Sequence, residues 1–216
     1  GFRAVKFGWG GFGKDRALDV ARVRAAREEL GKERTLLLDF GWTIPRTAAE
    51  TIDLCRATEP FSPFWIEEPC HPDEYADYRA VSEASPIRIA AGEQEATGWG
   101  FDLLLRQGKI DVAQPDLSRC GGFTVARKVM ALAEEVGCEV CPHAWQSDLL
   151  TAASLHFNAV LPEALFQEYN VSDDPLSRAL IRSPLRLVDG MLAVPQGPGL
   201  GVNVDWDTVN RYRVTP

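Results

Sequence analysis

Short apolar runs of strand length alternate with amphipathic stretches of helix length along most of the chain. Residues 3–7, 35–39, 64–67, 87–92, 111–114, 139–142 and 165–168 read as seven strands. Residues 15–30, 45–56, 72–83, 99–107, 122–136 and 148–159 read as the helices between them. Such alternation implies parallel strands joined by right-handed crossovers, in either a doubly wound sheet or a closed barrel. The strand ends decide between the two. Lys6, Asp39, Glu67, Glu93, Asp116, His143 and Glu168 all fall at or just beyond the end of a strand. A doubly wound sheet gathers its site at one switch point, whereas chemistry from every strand end marks a (β/α)8 barrel. The expected fold class is therefore α/β, a (β/α)8-type (TIM) barrel with about seven strands present. A closed barrel needs eight, so we expect the chain to lack its N-terminal part.

Three of the strand-end residues are carboxylates spaced at the period of one β/α unit. Asp39, Glu67 and Glu93 lie 28 and 26 residues apart, which places them at the same end of neighbouring parallel strands. Three convergent carboxylates repel one another unless a hard dication sits between them. That pattern points to metal-assisted catalysis. The net charge of −8 and the absence of basic clusters speak against nucleic acid or an anionic membrane as partner. No apolar run approaches the roughly 20 residues that span a bilayer. Five scattered cysteines, an odd number, read as reduced thiols in a cytoplasmic protein. Cys138 and Cys141 have CxxC spacing, but in an extended run residues three apart face opposite ways, so they read as buried structural thiols.

Beyond Glu168 the period stops. Residues 1–170 form the expected partial barrel, and 171–216 a C-terminal tail. Short helices are expected near 175–181 and 205–212. Asp189-Gly190 between apolar runs is a strong two-residue hairpin signal, so a β-hairpin is expected over 185–194.

The segments AVKFGWG, LLLDFGW, WIEEP, AAGEQ, QPDLSRCGG, CPHAW and FQEY carry a specific resemblance. In this order they resemble the enolase superfamily, and within it the mandelate racemase / muconate lactonising enzyme group. The resemblance implies Asp39, Glu67 and Glu93 as ligands of one Mg²⁺ per active site. Adjacent strand residues face opposite ways, so only one of Glu67 and Glu68 faces the metal; the resemblance favours Glu67, with Glu68 at the rim or behind it. It implies His143 and Asp116 as a general acid/base dyad, the carboxylate fixing the tautomer of the ring. It also implies Glu168 as a donor to the developing enolate, which requires a protonated carboxyl with a raised pKa. Trp145, Gln146 and Arg119 are expected near the pocket mouth.

Lys6 marks a departure. Many members of this group carry Lys-x-Lys here, the second lysine acting as a base. This chain has Lys6-Phe7-Gly8, so Gly8 stands at the base position. Lys6 reads as an electrostatic helper, with a base or a structural lysine as the other readings. His143 is then the better base, and two-base racemisation is in doubt.

The activity implied is Mg²⁺-dependent removal of the proton α to a carboxylate, with loss of water from a sugar acid to give a 2-keto-3-deoxy acid. The alternatives are a racemase or epimerase of a 2-hydroxy acid, or a metal-binding partial barrel without turnover. A carboxylate-pair glycosidase explains neither the third acid nor the dyad. The expected partners are a small carboxylate substrate and further copies in a homo-oligomer. The resemblance implies an N-terminal α+β capping domain over the barrel mouth; it is expected to be absent from this chain, and the hairpin is expected to pack on it.

Overall fold

The computed structural model describes residues 1–214. Among these residues, six strands form one parallel sheet in sequence order: β1 (Ala4–Gly8), β2 (Thr35–Asp39), β3 (Trp65–Glu67), β4 (Arg88–Ala91), β5 (Val112–Ala113) and β6 (Glu139–Val140). Each strand pairs with the next, and helices fill the five crossovers: α1 (Arg16–Leu30), α2 (Ala48–Thr58), α3 (Tyr75–Ala84), α4 (Gly98–Leu103) and α5 (Gly122–Val136); α6 (Asp148–Asn158) follows β6. Two short tail helices follow, α7 (Pro175–Ala179) and α8 (Trp206–Arg211). No helix is long and apolar enough to cross a membrane among the described residues.

The expected seventh strand is not formed. Residues 165–168 join no ladder. Side chains hold the segment instead: Asn158 Nδ2 and Cys141 Sγ donate to the carbonyl of Phe166, at 3.1 and 3.4 Å. The expected hairpin shrinks to one antiparallel bridge, Val188 with Met191, whose amides and carbonyls exchange two 2.9 Å bonds. Asp189 and Gly190 between them both have positive φ, as a type I′ turn requires. The helix expected from Pro45 starts later. Thr47 and Glu50 form a reciprocal capping box, so the first turn of α2 begins at Ala48. α4 runs on into a π-helical turn, Leu104–Gly108.

Strand alternation sorts the core into two layers. Leu36, Leu38, Ile66, Ile89 and Ala113 face the helices, packing with Val23, Leu54, Tyr78, Val81 and Phe101. Burying a large apolar side chain stabilises by about 1.5–3 kcal/mol, so this layer carries most of the driving force. Leu37, Trp65, Ala90, Val112 and Cys141 face the other way, into a smaller interior cluster with Phe64 and Phe166. The rings of Phe64 and Trp65 both meet Phe166 edge-on. Cys138 belongs to the outer layer and Cys141 to the inner one, so the two thiols do face opposite ways. All five cysteines are buried and free.

The inner parity carries the site. Lys6 pairs with Leu37, Gly8 with Asp39, and Asp39 with Glu67. Chains that alternate in register thus deliver Lys6, Asp39 and Glu67 to the interior at the C-terminal ends of their strands.

Candidate active site

The structure joins His143 to Asp116. His143 Nδ1 lies 2.8 Å from Asp116 Oδ2. Asp116 is fully buried, and its other oxygen accepts the Ser118 amide at 2.7 Å and the Ser118 hydroxyl at 2.5 Å. An aspartate that closes a turn on its own backbone two residues on cannot swing away from the ring. Burial pushes this carboxyl up, but the bonds from His143 and Ser118 outweigh it and hold the pKa below the ordinary carboxylate value. The ring is thereby fixed with Nε2 toward the interior, 3.1 Å from Glu93 Oε2 and 3.9 Å from Glu168 Oε2. Burial lowers the affinity of His143 for its proton. The bond to Asp116 and the charges of Glu168 and Glu93 more than reverse this, raising the pKa to about 9.

Lys6 stands across from the dyad. Its ammonium bonds to Glu67 and lies 2.7 Å from Glu168 Oε1 and 3.9 Å from Asp39 Oδ2. Burial disfavours the charge, yet Glu67, Glu168 and Asp39 together lift the pKa well above the ordinary lysine value. A lysine so held keeps its proton, which suits an electrostatic helper and not a base.

Glu168 differs from the sequence expectation. Burial raises its pKa, but Lys6, His143 and the Ala144 amide, 2.6 Å from Oε2, outweigh that and lower it below the ordinary glutamate value. In this structure the charges of Lys6 and His143 hold Glu168 as a carboxylate. Through it the polar groups of β1 and β6 meet, although residues 165–168 make no ladder.

Of the three spaced acids, Asp39 and Glu67 adjoin, while Glu93 turns to His143 and accepts from Gln94 Nε2 at 2.8 Å. Among the described residues, no three His, Cys, Asp or Glu side chains stand close enough together to hold a metal ion. The donor set still fits a hard dication in its chemistry. Asp39 Oδ1 is buried without a hydrogen-bond partner. Burial, then the charge of Glu67, pushes the Asp39 pKa to about 8, with Lys6 opposing and Glu93 and Glu68 adding to the rise. A carboxylate so destabilised lacks positive charge, and oxygen-only donors are what magnesium takes.

Gly8 stands where the second lysine of Lys-x-Lys would. It faces inward opposite Asp39 and has φ of +133°. A Cβ there would fall on the Asp39 carbonyl oxygen. No residue with a side chain fits this position without moving the strand end.

Three residues at the site were weakly signalled in sequence. Glu68 is not at the rim: it is buried under α3, where Tyr78 Oη donates to Oε2 at 3.0 Å and the Gly92 amide to Oε1 at 2.8 Å. Arg119 Nη1 donates to the Glu93 carbonyl at 3.1 Å. Ser118 is signalled only by the Asp-x-Ser spacing that makes a local turn. Trp145 is exposed beside the dyad, His71 is on the surface, and His156 Nε2 lies 3.1 Å from the Leu200 carbonyl in the tail.

A histidine–aspartate pair facing carboxylates and a lysine, all at strand C-termini, is the functional face of a β/α barrel. The enolase C-terminal domain-like family matches residues 1–208. The chain belongs to the enolase superfamily, in its mandelate racemase / muconate lactonising enzyme group. It is 33% identical over 224 residues to a D-galactarolactone cycloisomerase of Agrobacterium fabrum, covering 99% of this chain and 57% of that protein. It is 34% identical over 209 residues to a D-galactonate dehydratase of Xanthomonas oryzae pv. oryzae, covering 93% and 54%. The crystal structure of the 3,6-anhydro-D-galactonate cycloisomerase from Zobellia galactanivorans matches with a TM-score of 0.89 at 31% identity, over 98% of this chain and 59% of that one. The chain spans little more than half the length of these relatives.

Proposed function

We propose that the protein carrying this chain is a magnesium-dependent sugar acid dehydratase that works from one face of its substrate. The observation that carries this reading is the pairing of a fixed His143–Asp116 dyad with a Gly8 that admits no second base. Relatives named D-galactonate dehydratase and D-galactarolactone cycloisomerase support a sugar acid as the substrate class.

Asp39, Glu67 and Glu93 would hold the magnesium ion. When bound, the ion supplies positive charge to a substrate carboxylate whose α-carbon is about to lose a proton. A cation on Glu93 would offset part of the negative charge that raises the His143 pKa to about 9, and the neutral Nε2 would then take that proton while Nδ1–H stays on Asp116. The ring then returns the proton to the departing β-hydroxyl. The α-C–H and β-C–O bonds break, water leaves, and the enol product tautomerises to a 2-keto-3-deoxy acid. Lys6 remains an ammonium and, with Glu168, balances the charge across the interior. Two-base racemisation needs a second group on the face opposite His143; Lys6 is protonated and Gly8 has none.

The test is a screen of aldonates, aldarates and their lactones with Mg²⁺ and the full-length protein, read as keto-acid formation. A keto acid from at least one galacto-configured acid is the expected result. Uniform silence from a folded, magnesium-loaded protein counts against the reading.

A further inference from the structure

Glu68 is a costly residue where it stands. Alternation points it away from the interior, into the apolar layer between β3 and α3, where it is 3% exposed. An ionisable side chain in such a layer needs a reason, since a leucine there would pack without loss of hydration. Its backbone is also left-handed, with φ of 44°, a conformation unfavourable for a residue with a side chain. Its contacts suggest the reason. Oε1 takes the amide of Gly92, the residue just before Glu93 and just after β4. Oε2 takes the hydroxyl of Tyr78 on α3. Gly92 has φ of +124°, and a Cβ there would lie 2.8 Å from Phe101 and 3.3 Å from the Gln114 amide, so the turn into Glu93 is packed tightly. On the far side, Arg119 takes the Glu93 carbonyl.

We infer that Glu68 is a positioning residue for Glu93: a carboxylate hook from the end of β3 that fixes the turn at the end of β4. This rests on the reading of Glu93 as a magnesium ligand. Partners behind a metal ligand set its orientation, and their loss weakens metal affinity by about 10- to 100-fold. The hook joins the turn that carries Glu93 to the strand that carries Glu67, so it sets the spacing between those two acids.

The test uses the full-length protein and magnesium as the titrant in calorimetry. Glu68→Gln keeps an acceptor for Gly92 and a donor toward Tyr78, so its affinity is expected to stay within about threefold of the parent. Glu68→Leu is expected to weaken magnesium binding by about 10-fold or more, while its unfolding temperature in chelator stays at or above that of Glu68→Gln. Unchanged affinity in Glu68→Leu overturns the inference. If Glu68→Leu does not fold, Tyr78→Phe serves, with affinity expected to fall by about threefold or more; no change there overturns it equally. If the parent itself binds no magnesium, the metal reading fails on its own, and hydrogen exchange decides. The Gly92 amide must then exchange about 10-fold faster in Glu68→Leu than in Glu68→Gln, with Ile89 unchanged. Equal exchange in the two variants rejects the hook.

Discussion

Gly8 and Asp39 face each other so closely across β1 and β2 that a Cβ on residue 8 would fall on the Asp39 carbonyl oxygen. Backbone oxygen cannot give way as a flexible side chain can. Gly8→Ala is therefore expected to destabilise the fold by about 2–4 kcal/mol, combining overpacking with the strain of a positive φ. Equilibrium urea unfolding measures it. Gly8→Lys is expected to be worse and to confer no racemase activity. A stable Gly8→Lys protein would show that the strand ends are looser than described.

The dyad makes a second prediction. His143→Asn removes the only imidazole of the interior site and is expected to lower turnover by about 1,000-fold. Asp116→Asn keeps the ring but reverses the partner of Nδ1, with an expected loss of roughly 100-fold. Magnesium affinity should change little in either, since neither is an expected ligand. Steady-state kinetics with calorimetry separates the effects, and retained turnover in His143→Asn would remove it from the chemistry.

Lys6 neutralises Glu67 and Glu168 in a largely buried setting. Lys6→Met leaves those carboxylates without their cation, and breaking a buried pair on one side costs about 3–5 kcal/mol. We expect a loss of about 3 kcal/mol in chelator, discounted for partial exposure, and partial recovery with added magnesium. Recovery absent in titrated unfolding curves would place the metal elsewhere.

The strand ends were readable because one β/α unit has a narrow length range and extended chain alternates. Asp39, Glu67 and His143 emerge from that geometry in the expected places. The protonation of Glu168 was not readable, because it depends on Lys6, 162 residues earlier in the chain and brought to 2.7 Å only by the fold. Burial of Glu68 follows from its place under α3, which alternation orients but does not cover. The seventh strand failed for a related reason. Residues 165–168 have the composition of a strand, but strand identity depends on a neighbour's hydrogen bonds, which sequence pattern does not contain.

The buried thiols predict a pH dependence. Burial pushes Cys55 to about 11, and Cys70, Cys138 and Cys141 to about 12, from an ordinary value of 9.0. Unfolded, these thiols release protons near pH 9; folded, they hold them beyond pH 11. Above pH 9 the unfolded chain binds fewer protons, so stability falls as pH rises, and the contribution is complete only below pH 9. Urea unfolding at pH 8 and pH 10.5 should show the fall, and Cys138→Ala should lessen it. Thiol reagents at pH 8 should label none of the five in the native protein and all five in denaturant. Ready native labelling would contradict the burial.

The most direct test of one-face dehydration is turnover of D-galactonate or a related sugar acid in deuterium oxide, with magnesium and the full-length protein. Product and recovered acid are followed by proton NMR. The account predicts a 2-keto-3-deoxy acid, with no recovered acid inverted at the α-carbon. Inverted, α-deuterated acid without keto acid would contradict it, because inversion requires a base on the face that Gly8 leaves bare.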